Sequence, residues 1–538
     1  MVDGFLQQYR DGGWVARWSS PGYADLMVGT SSDVAFADAW HKGVRFDKHL
    51  AYEAALKNAT AVPPVSNVGR KGLARSMYRG YADISVHEGM SWTLEGALND
   101  FGLARFAEAL ALEEKDPAKV RRYRDEAAYF GARAADYVHL YDPATGFFRG
   151  RDASGQWRQP AAEFESREWG GDYTEANAWN FAFTAPHDAE GLASLMGGRD
   201  RLAQKLDGFF ATPETAERRY AGSYKQVIHE MTEARDVRMG MYAHSNQPAH
   251  HIPWMYVAAG QPWKTQRIVR DVMGRLYLGS EIGQGYAGDE DNGEMSAWYT
   301  FAMLGLYPMR MGAPEYVIGS PAFARSEVTL ENGRKLTVVA RNNSPENVYV
   351  QSLRVNGKPW NQAWIRHADI AAGATLEFTR CRRRSRRRDS SHAGWLTGAR
   401  GRRSRSTTSR VRRRWSTTTP RPGWRCRPPA AWASGSPRRR PSRTTRSRAA
   451  RRRWRRWAGR WKGARPTAAG ARSTGARANA STGPCNCVRS PSPRRAPTAN
   501  TACVSTTALS SSWPSWSCCR PDQSDPARTE QWLFTKTR

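Results

Sequence analysis

The stretch from residue 94 to residue 140, LEGALNDFGLARFAEALALEEKDPAKVRRYRDEAAYFGARAADYVHL, decides the fold class. Its first half carries apolar side chains at helical spacing, namely Leu94, Leu98, Phe101, Leu103, Phe106 and Leu110. Its second half opens with Pro117, which suits a first helical turn, and then places Tyr123 and Phe130 on one face. The spacing predicts two consecutive helices, over about 94–110 and 117–140.

Outward from this stretch, the apolar pattern predicts further helices and then a change to strands. Helices are expected over about 190–210, with an interruption at Gly197 and Gly198, and over about 263–276. After about Met311 the apolar period falls from 3.6 to 2, which predicts strands near 315–318, 327–330, 336–340, 348–355 and 376–379. Asn332-Gly333 and Asn356-Gly357 stand between these strands as hairpin turn signals.

This order of elements predicts a mainly α protein, an (α/α)6-type helical barrel packed on a short antiparallel β element. About six to eight helices of ordinary length fit before residue 311. A closed barrel of six helix pairs needs about twelve, so we expect the barrel to be incomplete at its N-terminus. The predicted parts are a partial barrel over 1–311, the β element over 312–380 and a tail over 381–538.

The charge of the chain divides at the same boundary. The sequence holds 82 Lys+Arg and 50 Asp+Glu, a net charge of +32. Of these, 40 basic and 4 acidic residues lie in 381–538, which leaves 42 basic and 46 acidic residues, a net −4, in 1–380. All 7 cysteines also lie after residue 380, so the first part has no disulfide, thiolate nucleophile or Cys-ligated metal.

The tail is rich in Arg, Trp and Pro and poor in the aliphatic residues that offset conformational entropy. Three interpretations are open: a frameshifted translation of a GC-rich coding strand, a disordered basic arm, or a folded domain. The strong Arg bias with almost no Lys favours the frameshift. Because no run of about 18 apolar residues occurs in the chain, no transmembrane helix is predicted.

Carboxylates concentrate on a glycine-bounded loop at residues 285–299, GYAGDEDNGEMSAWY. Like charges as close as Asp289, Glu290 and Asp291 raise one another's pKa, which is one way to obtain a general base. An EF-hand loop is excluded because its twelfth position would be Thr300. The alternative is a solvated acidic turn that caps the following helix.

A second cluster combines IHEMTE (228–233) with YAHSNQPAHHI (242–252). A zincin motif is excluded because Glu233 stands where the second histidine would be. Glu230, Asn246 and Gln247 offer hard oxygen ligands, which suit Ca²⁺ better than a transition metal. His244, His250 and His251 could also bind a metal, or they could be structural hydrogen-bond partners.

Two aromatic-rich segments complete the candidates. In GGDYTEANAWNFAF (170–183), Glu175 lies between aromatic residues that would raise its pKa toward that of a general acid, or it is an ordinary first-turn glutamate. In DGGWVARWSSPGYADLMVG (11–29), two tryptophans flank Arg17, as in a cleft that stacks sugar rings, or they form a buried loop.

These blocks, in this order, resemble the catalytic domain of glycoside hydrolase family 92, the calcium-dependent exo-acting α-mannosidases. The matching segments span residues 1 to about 380 and are 12–29, 141–151, 172–198, 242–266, 288–308 and 316–323. The resemblance implies an inverting hydrolase that releases terminal α-linked mannose, in which one carboxylic acid protonates the leaving oxygen and one carboxylate activates water.

Carried over by motif position, the resemblance assigns roles to individual residues. Glu175 would be the general acid and Asp291 the general base, assisted by Asp289. The Ca²⁺ cofactor would be held by the side chain of Glu230 and the carbonyl of His229, with Asn246 as a further ligand. The implied substrate-cleft residues are Trp14, Arg17, Asp33 and His244.

The family also sets expectations for partners and location. The expected partner is a mannose-containing glycan, while a membrane and, despite the basic tail, a nucleic acid are not expected. The start of the chain shows no signal-peptide pattern, so its own location stays open. Full-length relatives are expected to be periplasmic or secreted. They are also expected to carry an N-terminal β-sandwich and first barrel helices that this chain lacks. We therefore expect the chain to be a fragment that need not be active.

Two positions depart from the family pattern. Gln247 stands where relatives often carry glutamate, and Glu294 where they often carry glutamine. Two alternative functions are kept: another (α/α)6 glycosidase of the trehalase or glucoamylase type, which needs no catalytic calcium, and a nucleic-acid-binding protein that acts through the tail.

Overall fold

The computed structural model describes residues 1–277 and 285–383, and helices dominate up to residue 303. The α-helices of this part are α1 Val2–Gly12, α2 Ser32–His41, α3 Lys48–Thr60, α4 Leu73–Arg79, α5 Gly89–Glu113, α6 Pro117–Arg133, α7 Ala178–Phe181, α8 Ala189–Leu195, α9 Arg199–Ala211, α10 His229–Val237, α11 Met255–Ala258, α12 Pro262–Leu276 and α13 Glu294–Met303. The predicted interruption at Gly197-Gly198 separates α8 from α9.

The two helices predicted from residues 94–140 are α5 and α6, which pack against each other. Four of the predicted apolar positions on α5 are buried, namely Leu94, Leu103, Phe106 and Leu110. At the start of α6, the Asp116 side chain accepts the backbone N–H of Ala118 at 2.8 Å, and Pro117 occupies the first turn. The predicted helix to residue 140 ends earlier, at Arg133, and the chain continues as a 3₁₀ turn over Asp136–Leu140.

A buried ion-pair network joins α2 to α5. The Arg70 guanidinium lies 2.9 Å from Asp33 Oδ2 and 2.7 Å from Asp100 Oδ1, and all three side chains are at most 5% exposed. Asn58 on α3 donates to Asp33 Oδ1 at 2.8 Å, and Thr30 donates to its other oxygen at 2.6 Å. Since a buried charge is tolerated only when it is paired and hydrogen-bonded, this network fixes the relative positions of these helices.

The strands follow the last helix, apart from one small hairpin. They are β1 Tyr141–Asp142, β2 Phe147–Phe148, β3 Leu306–Tyr307, β4 Glu315–Ile318, β5 Arg325–Thr329, β6 Lys335–Arg341, β7 Tyr349–Val355, β8 Lys358–Trp360, β9 Trp364–Arg366 and β10 Ala374–Cys381. A three-stranded sheet has the order β3-β4-β9, and a five-stranded sheet has the order β5-β6-β10-β7-β8. The five predicted strands are β4, β5, β6, β7 and β10.

The prediction of an antiparallel β element is wrong for one strand pair. β10 runs parallel to β6, with Leu376 beside Val338, while its other neighbour β7 is antiparallel. The cause is the route of the chain, which leaves β7 through β8, adds β9 to the other sheet, and then returns to insert β10 between β6 and β7. The Asn356-Gly357 prediction is confirmed, since these two residues have φ of 49° and 76° and connect β7 to β8.

Within residues 1–277 and 285–383, no helix is long and apolar enough to cross a bilayer. The prediction of a disordered or frameshifted tail over 381–538 concerns residues that, apart from 381–383, lie outside the described ranges.

Candidate functional site

Glu175 lies on a strained turn that precedes α7. Its φ is 48°, a left-handed value that is uncommon for a residue with a side chain. Its backbone N–H donates to the Tyr224 hydroxyl at 2.8 Å, and its Oε2 accepts from Asn246 Nδ2 at 3.0 Å. Asn177 caps α7 by accepting from the backbone N–H of Trp179 at 3.0 Å. Left-handed backbone at a half-buried carboxylate is typical of functional sites, where surrounding contacts stabilise the strain.

The loop before α13 uses its three carboxylates in different ways. Glu290 accepts the backbone N–H groups of Gly293 and Ser296, the latter at 3.2 Å, and thereby caps α13. These hydrogen bonds hold the pKa of Glu290 below its usual value. The expectation that neighbouring charges would raise this pKa is therefore wrong for Glu290, because backbone donors outweigh the repulsion. Asp289 and Asp291 stay exposed.

Asp291 is held by a side chain next to the one that holds Glu175. Its Oδ2 accepts from Gln247 Nε2, and its φ of 58° is left-handed. Asn246 and Gln247 are consecutive residues at the start of a 3₁₀ turn, and Asn246 Oδ1 accepts the backbone N–H of Gln247 at 2.9 Å. One short segment therefore positions both predicted catalytic carboxylates.

A second carboxylate group surrounds Glu175. Burial raises the pKa of Glu230, and the charges of Glu175 and Glu233 raise it further. Burial also raises the pKa of Glu88, with a smaller contribution from Glu175. Burial likewise raises the pKa of the Tyr224 hydroxyl, and the charges of these carboxylates raise it further. Glu88, which precedes α5, has a left-handed φ of 56°.

Glu230 has the features of a hard-cation ligand. Its side chain lies at the start of α10, is 7% exposed, and has an Oε2 that is buried without a hydrogen-bond partner among the described residues. Oε1 lies 3.1 Å from His229 Nε2. Burial opposes protonation of His229, but its hydrogen bond to Glu233 and the nearby carboxylates outweigh this and raise its pKa.

The remaining predicted metal ligands fit less directly. Asn246 Oδ1 already accepts the Gln247 N–H, and Asn246 Nδ2 donates to Glu175 Oε2. In this geometry Asn246 therefore positions Glu175 rather than a metal ion. The His229 carbonyl already accepts from the Thr232 hydroxyl at 2.8 Å, and as the first carbonyl of α10 it also takes part in the helical hydrogen bonding. Across 1–277 and 285–383, no group of three His, Cys, Asp or Glu residues is arranged to hold a metal. A Ca²⁺ ion here would therefore need carbonyl, amide, water or substrate oxygens beside Glu230.

Two of the four predicted substrate-cleft residues, Asp33 and His244, are fully buried. Asp33 is fully buried in the Arg70 network and cannot reach a substrate. His244 is also fully buried, with Nδ1 2.7 Å from the Tyr242 hydroxyl and Nε2 2.7 Å from the Tyr277 hydroxyl. The sequence interpretation failed because polar residues beside aromatics look alike whether they line a cleft or a core.

The tryptophan loop lies beside the start of α5. The Arg17 guanidinium lies 5.0 Å from the centroid of Trp92, which is in the first turn of α5. Arg17 also donates to the carbonyls of Leu26, Ser66 and Gly69, and its side chain is only 1% exposed. Trp14 is 8% exposed and Trp18 is 39% exposed. Arg17 thus shapes the loop, while Trp18 is its accessible ring.

Two residues of the site, Glu88 and Tyr224, were not predicted from the sequence. No motif marks them, since both reach Glu175 only through the fold. Gln247 was predicted as an oxygen ligand, whereas its contact with Asp291 is visible only in the fold.

Comparison with known proteins identifies the architecture. Residues 1–380 match the model of the glycosyl hydrolase family 92 catalytic domain. The chain belongs to glycosyl hydrolase family 92. This match confirms the predicted family. Together with the structural relatives, it confirms the mainly α, (α/α)6-type fold class. Enzymes of family 92 are glycosidases.

Solved family 92 structures are similar over most of the described part. An inverting mannosidase from Bacteroides thetaiotaomicron VPI-5482 has a TM-score of 0.61 and 35% identity, over 71% of this chain and 50% of that one. A family 92 α-mannosidase from Bacteroides thetaiotaomicron has a TM-score of 0.60 and 29% identity, over 72% of this chain and 47% of that one.

A curated relative comes from the fungus Arthroderma benhamiae. It is described as an uncharacterized secreted glycosidase, and it is 28% identical over 65% of this chain and 44% of its own length. The chain therefore spans about half the length of the relatives that it matches.

Proposed function

We propose that this chain releases terminal α-linked mannose from mannose-containing glycans by single displacement. The observation that carries the proposal is the pair of consecutive amides, Asn246 and Gln247, which hold Glu175 and Asp291. Two carboxylates positioned by one segment can act together on one glycosidic bond. The family 92 relatives of known structure are named as mannosidases, one of them inverting.

The roles follow from the different surroundings of the two carboxylates. Glu175 is half-buried among other carboxylates, its Oε2 accepts from Asn246 and its backbone N–H donates to the Tyr224 hydroxyl, so its carboxyl is held in place to act as the general acid that protonates the leaving oxygen. Asp291 is exposed and accepts a hydrogen bond as a carboxylate, which suits a general base that removes a proton from water. Asp289, two residues away and also exposed, would assist Asp291.

Calcium is part of the proposal. Glu230 would hold it through the unpartnered Oε2, with the His229 carbonyl as a second oxygen. When bound, the ion would supply positive charge for sugar hydroxyls. Trp18, the exposed ring of the tryptophan loop, offers an accessible aromatic face for a sugar ring. The enzyme would work outside the cytoplasm, as does the secreted glycosidase of Arthroderma benhamiae to which it is similar.

The decisive test of the reaction is stereochemical. An inverting enzyme acting on an α-mannoside releases β-mannose first, which proton NMR detects before mutarotation. Release of α-mannose first would reject single displacement, and no release of mannose from any α-mannoside would reject the substrate class. Glucose release from trehalose or starch would favour the other (α/α)6 glycosidases.

A further inference from the structure

His250 lies between two groups that both accept hydrogen bonds. Its Nε2 is 2.9 Å from the backbone carbonyl of His244, which can only accept. Its Nδ1 is 2.7 Å from Oε1 of Glu294, the first residue of α13. The His250 side chain is 3% exposed and the Glu294 side chain 36% exposed, so the buried histidine nitrogens depend on these two partners.

A neutral imidazole cannot satisfy this geometry beside a carboxylate. It carries one N–H, so either Nδ1 would present a lone pair to Glu294 or Nε2 would present one to the His244 carbonyl. Adding one proton removes the conflict, because both nitrogens then donate. A charge-assisted N–H to a carboxylate is also the stronger kind of hydrogen bond.

The neighbouring histidines do not share this requirement. The Tyr277 hydroxyl donates to the Met295 carbonyl at 3.3 Å, so it accepts from His244 Nε2, while the Tyr242 hydroxyl donates to His244 Nδ1. A neutral His244 is thus fully bonded. Burial, and to a smaller extent the charge of His250, lowers the pKa of His244. Burial also lowers the pKa of His251, to about 4.

The other titratable groups that face the pair are tyrosines. Tyr242, Tyr277 and Tyr307 face Glu294, and burial raises the pKa of all three, with the charge of Glu294 adding to the effect. These tyrosines therefore stay neutral, as do His244 and His251. Any charge in this group therefore lies on His250 and Glu294.

The pair is connected to the loop that carries Asp291. The backbone N–H of Glu294 donates to the Asp291 carbonyl at 3.2 Å, and the loop residue Gly288 lies close to Ser245. Trp298 on α13 donates through Nε1 to the His250 carbonyl at 3.0 Å. The start of α13 is therefore attached to the 244–250 segment on one side and to the acidic loop on the other.

We propose that His250 and Glu294 share one proton and that this protonated pair positions the Asp291 loop, so that its loss at alkaline pH displaces the loop. His250 and Glu294 are positioning residues, since neither contacts the reacting atoms. The consequence for catalysis rests on the proposed role of Asp291, whereas the shared proton does not.

The variant Glu294→Gln separates a shared proton from a merely structural contact. Glutamine can donate its amide N–H to a neutral Nδ1, so the contact survives without the extra proton. In the full chain with ¹⁵N-labelled histidine, NMR reports whether each ring carries one or two protons. His250, assigned by comparison with His250→Gln, should be doubly protonated in the wild type at about pH 6 and singly protonated in Glu294→Gln.

The pH profile gives the second measurement. In the wild type, kcat should fall by about tenfold when the pair loses its proton, since a buried hydrogen bond is lost. In Glu294→Gln this alkaline fall should shrink to about twofold or less. An equal fall in both proteins would overturn the catalytic consequence.

The NMR measurement decides the pair without activity. If His250 stays singly protonated throughout the titration of the wild type, the proposal of a shared proton is wrong. This outcome can be read from the wild type alone, without a variant that has to fold. If the wild type shows the shared proton but releases no mannose, the proposed function fails and the pair stands.

Discussion

Asn246 Nδ2 donates to Glu175 Oε2 across 3.0 Å, and the next residue, Gln247, donates to Asp291. The two amides lie on a segment whose own backbone is fixed, because Asn246 Oδ1 caps the 3₁₀ turn that follows. One short segment therefore holds the acid and the base through two neighbouring side chains.

Replacing either amide should lower kcat through the carboxylate that it holds. Asn246→Ala should lower kcat by about 10-fold to 100-fold, because the acid loses its positioned donor. Gln247→Ala should lower kcat by a similar factor through Asp291. Ser245→Ala is a suitable control, because the Ser245 hydroxyl has no hydrogen-bond partner among the described residues. Equal activity of Asn246→Ala and this control would contradict the positioning role.

Asp33 tests the distinction between a cleft residue and a structural one. Asp33→Ala leaves Arg70 with a buried charge that only Asp100 offsets, so the free energy of unfolding should fall by about 3 to 5 kcal/mol. Denaturant unfolding measures this loss. The KM of the remaining folded protein should be unchanged, and a raised KM with normal stability would restore Asp33 to the substrate cleft.

Glu95 on α5 should make stability depend on pH. Burial raises its pKa to about 7, whereas an unfolded glutamate titrates near its ordinary value. A raised folded pKa means that the contribution of Glu95 is fully present below the unfolded pKa and is lost as the pH rises through about 7.

Glu95→Gln removes this titration. Above about pH 7 the variant should therefore be more stable than the wild type by about 1 to 3 kcal/mol, and the difference should shrink toward about pH 5. Denaturant midpoints at several pH values measure this difference. Glu108→Gln, an exposed residue of the same helix, is the control. If the difference in stability between Glu95→Gln and the wild type does not depend on pH, the raised pKa of Glu95 is contradicted.

Calcium binding should appear in thermal unfolding, because a ligand that binds only the folded state stabilises it. Saturating CaCl₂ should raise the Tm of the wild type, by an amount corresponding to about 2 to 4 kcal/mol at 100 to 1,000 times Kd. Glu230→Gln should abolish the shift, while Glu233→Gln, which changes a neighbouring carboxylate on the same helix, should keep most of it. A Tm shift that survives in Glu230→Gln would place the ion elsewhere.

The sequence predicted the elements better than the contacts. Local apolar periodicity predicted helices α5 and α12, and the Gly197-Gly198 pair predicted the break between α8 and α9. The Asn-Gly pair at 356–357 predicted a turn, because both residue types accept the left-handed backbone that the turn has. The parallel pairing of β10 with β6 could not be predicted, since it depends on where the chain returns after β9.

The site shows the same division. Glu175 and Asp291 stand out in motifs, but their positioning by Asn246 and Gln247 is visible only when residues 71 and 44 positions apart meet. Asp33 and His244 were misjudged because burial is a property of the fold. Glu290 carries the same charge as Asp291, yet its hydrogen bonds to backbone N–H groups make it a helix cap.

The central claim, that Glu175 and Asp291 act as acid and base on an α-mannoside, is tested most directly by mannose release from an α-linked mannobiose. Glu175→Gln and Asp291→Asn should each lower kcat by about 10²-fold to 10⁴-fold with unchanged Tm, while Glu233→Gln retains activity. Activity of Glu175→Gln or Asp291→Asn equal to that of the wild type would contradict the assignment.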